Sequence, residues 1–246
     1  MTALLRLNNV SKSFKRGGIF SRHRIEAVKG VSFTLDRDRP EIFAIIGESG
    51  SGKSTLARMI LGLQDASGGE LALDGAKIGG RTRQERLAFM GKVQPIFQNP
   101  FEAFNPLKKV DYYLLLTAMR FGGAADDEEA ERAADLALRQ VGLSLSEVRG
   151  RFPHEMSGGQ LQRVAIARAL VSKPRLIIAD EPVSMVDASL RMAIVNLFGK
   201  LRDKLGLSII YITHDLATAY YIADRLIIMQ KGEVVESGSA RAVLSD

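Results

Sequence analysis

The 246-residue sequence predicts an α/β protein. It should have a mostly parallel sheet, an N-terminal antiparallel β part and an inserted helical subdomain. Three observations carry that expectation. From Gln160 onward, helical stretches alternate with short apolar runs, the pattern of a parallel sheet covered on both faces. The first third reads as short strands separated by turns. The stretch from about Phe101 to Gly159 has a different texture, punctuated by Pro100, Pro106 and Pro153, and its regular parts look helical.

In the first third, Leu5–Asn8 alternates, Ala27–Leu35 is largely apolar, and Ile42–Ile46 is a continuous apolar run. Glu70–Leu73 precedes the turn signal Asp74-Gly75. A helix beginning at a Gly-rich loop is expected to carry Leu56, Met59, Ile60 and Leu63 on one face. In the middle, Asp126–Val141 opens with acidic residues, which suits the positive end of a helix, and stops at Gly142. The last third predicts helix Leu161–Leu170, strand Leu176–Ala179, helix Leu190–Leu205, strand Ser208–Thr213, helix Leu216–Ala223, and strands around Leu226–Met229 and Glu233–Glu236. The expected domains are a core of residues 1–97 and 161–246 with a helical subdomain over 98–160.

Composition excludes several function classes. An apolar fraction of 46% and a charged fraction of 25% are those of a globular chain. Cysteine is absent, which removes disulfide frameworks, thiolate metal sites and cysteine nucleophiles. Apolar stretches such as Tyr112–Met119 and Leu226–Met229 fall far short of the roughly 18–20 residues that span a bilayer. Met1–Arg6 lacks a basic region followed by an apolar one, so no signal peptide is expected and any membrane role would run through a partner. The net charge of +6 is densest over Lys15–Arg24 and Gly80–Arg86. The plain reading is a solvated loop and a solvated helix face, with anionic headgroups or a partner subunit as the other candidates. No aromatic-and-basic platform for single-stranded nucleic acid is present.

The sharpest chemical signal is Gly47-Glu48-Ser49-Gly50-Ser51-Gly52-Lys53-Ser54, followed by Thr55. It fits the phosphate-binding pattern G-x-x-x-x-G-K-[ST]. Glycines let the backbone curl until successive N–H groups point at a phosphate, and the following helix adds its positive end. Lys53 is expected to reach β- and γ-phosphates, and the Ser54 hydroxyl to ligate Mg²⁺. The second signal is the apolar run Leu176–Ala179 ending in Asp180-Glu181. Asp180 is expected to hold the metal and Glu181 to polarise an attacking water. The third is Ser157-Gly158-Gly159-Gln160, a turn opening a helix and so a second anion-binding device. One chain has no evident use for two such clamps about a hundred residues apart. A dimer has, if each subunit's turn closes over ATP on the other's loop.

In these residues the chain resembles the nucleotide-binding subunits of ABC transporters, over nearly its whole length. The resemblance implies a P-loop NTPase core and ATP-Mg as the bound species. It also implies that Phe14 stacks on adenine, that Gln98 touches Mg²⁺ and links core to helical subdomain, and that Ser157–Gln160 contacts the γ-phosphate across a dimer. Asp187 would cross the dimer interface, and His214 would contact the γ-phosphate. Gln98-Asn99-Pro100-Phe101 and Glu181-Pro182-Val183-Ser184 resemble the branch serving importers of peptides, nickel or oligosaccharides. Implied partners are transmembrane permease subunits, which would meet Phe101–Leu107, and a second identical or homologous ATPase subunit. A solute-binding protein is implied indirectly and nucleic acid is not. The implied location is peripheral, at the cytoplasmic face of the inner membrane. Pro40-Glu41 stands where the family usually has Gly-Glu. The competing readings are a soluble ABC-type ATPase acting on nucleic acid or ribosomes, and a module that holds ATP without cleaving it.

Overall fold

A computed structural model describes residues 2–15 and 24–244. The chain runs through β1 (Ala3–Lys15), β2 (Arg24–Asp36), β3 (Ile42–Ile46), α1 (Lys53–Ile60), β4 (Gly68–Leu73) and β5 (Ala76–Lys77). Next come α2 (Arg83–Lys92), β6 (Val93–Ile96), α3 (Val110–Thr117), α4 (Asp127–Gln140), α5 (Leu145–Val148), α6 (Gly158–Val171), β7 (Leu176–Asp180) and α7 (Ala188–Leu205). β8 (Ser208–Thr213), α8 (Leu216–Ile222), β9 (Arg225–Gln230), β10 (Glu233–Ser239) and α9 (Ala240–Leu244) follow. Two compact units result, Met1–Arg81 with Ser208–Asp246, and Thr82–Leu207.

In the first unit, β2, β1, β4 and β5 form an antiparallel sheet in that order. β3 lies parallel to both β8 and β9, and β10 pairs antiparallel with β9. β3 shows why a strand flanked on both sides and covered on both faces is apolar throughout. Its alternate residues point opposite ways. Phe43 stacks on Phe33 of β2 with ring centroids 4.6 Å apart. On the other face, Ala44 and Ile46 pack with Ala219, Leu226 and Ala240 of α8, β9 and α9. Burying a side chain such as Phe43 contributes roughly 1.5–3 kcal/mol.

α1 buries Leu56, Ala57, Met59 and Ile60 as the helical spacing predicts. Leu63 departs from that expectation: it is 55% exposed. The helix stops at Ile60, and the chain reverses at Gly62, whose N–H bonds Met59 O while Leu63 N–H bonds Arg58 O. The 3.6-residue period that would have carried Leu63 inward no longer applies.

In the second unit, β6 and β7 pair in parallel, with Ile96 opposite Ala179. β6 is an edge strand, which is where Pro95 is tolerated, since a proline has no N–H for a ladder. α2 is closed by a capping box between Thr82 and Glu85 and buries only Phe89, so its basic face is solvated. Between β6 and β7 lies a helical layer. α4 starts where Asp126 accepts the Glu129 N–H at 2.8 Å and buries Ala130, Ala134, Ala137 and Leu138. Such small residues let neighbouring helices approach closely. The basic stretch Lys15–Arg24 lies, apart from its two end residues, outside the described residues.

Candidate functional site

Candidate residues occur in both units. In the first, the loop Gly47–Gly52 joins β3 to α1. Its close packing demands glycine at two points. A Cβ on Gly47 would lie 2.2 Å from Met229 O, and one on Gly52, at φ 105°, would lie 2.2 Å from Ala27 O. Gly232 N–H donates to Ser51 O at 3.0 Å, tying the loop to the β9–β10 turn. Lys53 is buried, and its ammonium donates to Gly47 O and Glu48 O, both at 2.7 Å, and to Ser51 Oγ at 3.4 Å. The lysine thus folds over the loop it follows. Glu48, Ser49, Gly50 and Ser54 are exposed, and Thr55 is half-buried. No acidic residue stands in the first turn of α1, so the field of the helix N-terminus is not offset locally.

His214 follows β8 in the same unit. Ile46 and Thr213 are register partners, so Gly47 and His214 leave the ends of adjacent parallel strands side by side. Asp215 caps α8, accepting from Ala217 N–H at 3.0 Å and Thr218 N–H at 3.4 Å. Phe14 sits near the end of β1, 38% exposed, with Lys12 Nζ 5.4 Å from its ring centroid. It is a surface aromatic rather than a core residue.

In the second unit, parallel pairing of β6 and β7 carries Gln98 and Glu181 off the same strand ends. Gln98 Nε2 donates to Glu181 Oε2 at 3.1 Å. Asp180 ends β7, half-buried. Glu181 has φ 46°, in the left-handed region that a side chain such as Glu rarely adopts. Ser184 clamps it, its N–H and Oγ both bonding Glu181 O, at 3.2 and 2.9 Å.

Ser157 and Gln160 form a reciprocal capping box at the start of α6. Gly159 is buried, and a Cβ there would meet Leu190 Cδ1 at 2.7 Å. Gly158 is exposed with nothing within 4 Å of where its Cβ would stand. Asp187 begins α7, yet its side chain makes no capping bond. Two residues escaped the sequence reading. Gln162, fully buried, donates to Pro182 O at 2.8 Å. Arg168 donates to Ala103 O at 3.0 Å. The signal available for both was a polar residue inside an otherwise apolar helix.

Within each unit the donor chemistry suits phosphate oxygens or a hard cation. The loop supplies a close-packed cradle and a lysine. Ser54 in the first unit, and Gln98 and Asp180 in the second, each carry an oxygen of the type Mg²⁺ takes. With Gln98 nitrogen turned to Glu181, its amide oxygen remains the acceptor.

A family model described as ABC transporter matches residues 28–184. The oligopeptide transport ATP-binding protein AmiF of Streptococcus pneumoniae is 40% identical over 95% of this chain and 74% of its own length. The dipeptide transport ATP-binding protein DppF of Escherichia coli is 39% identical over 93% of this chain and 68% of its own. Among solved structures, the dimeric ATP-binding cassette MJ0796 in a post-hydrolysis state with ADP and Pi is similar, with a TM-score of 0.83 at 31% identity. That match covers 96% of this chain and 99% of that one. CbiO1 of Clostridium perfringens, part of the complex cbiONQ, gives a TM-score of 0.84 at 26% identity, over 100% of this chain and 92% of that one.

Proposed function

This chain belongs to the ABC transporter family as a nucleotide-binding, ATP-hydrolysing subunit, and from that premise we propose that it energises peptide uptake through partner permease subunits. The relatives' names support peptide as the cargo class, and they give no support to a nucleic-acid or ribosome ATPase. Among the described residues no helix is long and apolar enough to cross a membrane; we place the subunit at the cytoplasmic face of the inner membrane, as the relatives' transport roles suggest.

The proposed mechanism is phosphoryl transfer to water, in which positioning and charge neutralisation do most of the work. Backbone N–H groups of Gly47–Gly52 and the Lys53 ammonium hold the β- and γ-phosphates. Ser54, Gln98 and Asp180 would hold Mg²⁺, which when bound would neutralise charge on the phosphate oxygens. Glu181 accepts a hydrogen bond from the attacking water and orients it, while His214 donates to the γ-phosphate. Phe14 stacks on the adenine. A second ATPase subunit closes over the nucleotide with its own Ser157–Gln160 turn, and Asp187 crosses that interface. The domain reading that accompanies this mechanism is an ATP-binding core of residues 1–97 and 161–246 with a helical subdomain over 98–160. Within that subdomain, exposed Phe101 and Leu107 receive the permease.

The observation that carries the hydrolytic role is Glu181 itself, a carboxylate held on a strained backbone and hydrogen-bonded to Gln98. Strain of this kind persists only where surrounding contacts enforce it, and it clusters at functional sites. Glu181→Gln is expected to bind ATP and accumulate as a closed dimer with little turnover, read by size-exclusion chromatography and phosphate release. Hydrolysis at the unaltered rate in that variant would overturn the assignment.

A further inference from the structure

We propose that Gln162 is a positioning residue for hydrolysis, its buried amide setting the backbone turn that presents the Glu181 carboxylate. The proposal rests on the reading of Glu181 as the group that orients water.

Gln162 lies on α6 among Leu161, Val164, Ala165 and Ile166, all of them buried, and is itself 0% exposed. Its Nε2 donates to Pro182 O at 2.8 Å. Its Oε1 is buried with no hydrogen-bond partner. A buried amide with one half unsatisfied destabilises a fold, because the oxygen has lost water and gained nothing. A leucine or methionine here would avoid the unsatisfied oxygen but leave the buried Pro182 carbonyl without this donor, so the amide brings no clear net gain in stability. The glutamine therefore calls for another reason, and its one bond supplies it.

Pro182 has no N–H, so its carbonyl is the only backbone group it can offer to a clamp. A residue before proline is pushed toward extended backbone, yet Glu181 is held at φ 46°. Local preferences do not hold this turn, so contacts must. Ser184 pins Glu181 O from within the turn. Gln162 pins the next carbonyl, Pro182 O, from a different element, and with proline's φ fixed by its ring that bond sets the remaining backbone torsion. The two carbonyls that follow the Glu181 Cα are thus both held, one from within the turn and one from outside it. The outside clamp comes from α6, a rigid helix that begins five residues earlier at the Ser157 cap.

Gln162→Met removes the donor and the unsatisfied oxygen together while keeping a flexible side chain of similar length. In the 246-residue chain the expected result is a melting temperature close to the parent's, since the unsatisfied amide oxygen is exchanged for a Pro182 carbonyl without this donor. ATP affinity by fluorescent-nucleotide titration should stay within twofold and KM should be unchanged, with kcat lowered at least tenfold. Gln162→Leu provides the same test if the methionine variant fails to fold. The discriminating measurement is a double-mutant cycle with Glu181→Gln, using single-turnover hydrolysis of radiolabelled ATP. If Gln162 acts through Glu181, its substitution adds little to the Glu181→Gln loss. A kcat within twofold of the parent, or a loss that persists in full on the Glu181→Gln background, overturns the proposal. Should Glu181→Gln alone hydrolyse ATP normally, it is the reading of Glu181 that fails, an outcome distinct from either of these.

Discussion

Gln98 and Glu181 are joined by a 3.1 Å hydrogen bond at the ends of adjacent parallel strands, although 83 positions separate them in the chain. The bond orients the Gln98 amide and restrains the Glu181 carboxylate. Because it lies at the surface, it adds little to stability, on the order of 0.5–1 kcal/mol. Gln98→Ala is expected to leave the thermal midpoint nearly unchanged while lowering kcat about tenfold, equivalent to ~1.4 kcal/mol of transition-state stabilisation. Calorimetry and steady-state phosphate release check the two halves, and a normal kcat would remove Gln98 from the mechanism.

Lys53 folds its ammonium over the Gly47–Gly52 loop and donates to two carbonyls and a hydroxyl there. Lys53→Ala removes that charge and leaves Gly47 O and Glu48 O without their donor. ATP affinity is expected to fall roughly a hundredfold, a loss of about 2.7 kcal/mol, measured by equilibrium titration. Retained affinity would show that the loop amides alone suffice.

Two glycines separate folding from assembly. At Gly52 a Cβ meets Ala27 backbone at 2.2 Å, so Gly52→Ala should destabilise the fold by more than ~2 kcal/mol as well as abolish nucleotide binding. At Gly158 nothing stands within 4 Å. Gly158→Ala should melt like the parent, and its ATP-dependent dimer, followed by light scattering, should weaken. Full dimerisation in that variant would mean that this face does not close over a partner's nucleotide.

The Pro40-Glu41 turn leads to a pH prediction. Burial raises the Glu41 carboxyl above its ordinary value of 4.5, and the nearby Arg225, 3.0 Å away, offsets only part of the shift. A carboxyl with a raised folded-state pKa contributes most to stability below pH 4.5. That contribution is lost as pH rises through the folded-state value. Glu41→Gln, which cannot ionise, should therefore gain stability relative to the parent between about pH 4.5 and neutrality. Urea midpoints at the two ends of that range test it, and a parent that gains relative to the variant would reverse the sign.

Phe101 is 47% and Leu107 82% exposed, an unusual outlay of apolar surface on one short segment. Leu107→Asp is expected to leave the melting temperature unaltered and to abolish co-purification of the permease subunits in detergent. Undiminished co-purification would place the permease contact elsewhere.

Much of the site was legible because it is local. Eight consecutive residues, Gly47–Ser54, specify a turn, a charge and a hydroxyl. The apolar run Ile42–Ile46 that launches them carries its burial in its composition. Asp180-Glu181 could be read in the same way, as carboxylates at the end of a buried strand. Less legible was β6, where Pro95 hides a strand that tolerates it only at an edge. Leu63 was misread because a helical period says nothing about where the helix stops.

The sequence by itself determined the chemistry of the phosphate loop and the alternation of strand and helix, since both rest on neighbours within a few residues. Only the tertiary structure decided that Gln98 bonds Glu181, that Gln162 holds Pro182, and that Glu181 bends into the left-handed region. Those features join residues from different elements, and their energies come from burial and hydrogen-bond geometry that exist only once the chain has packed.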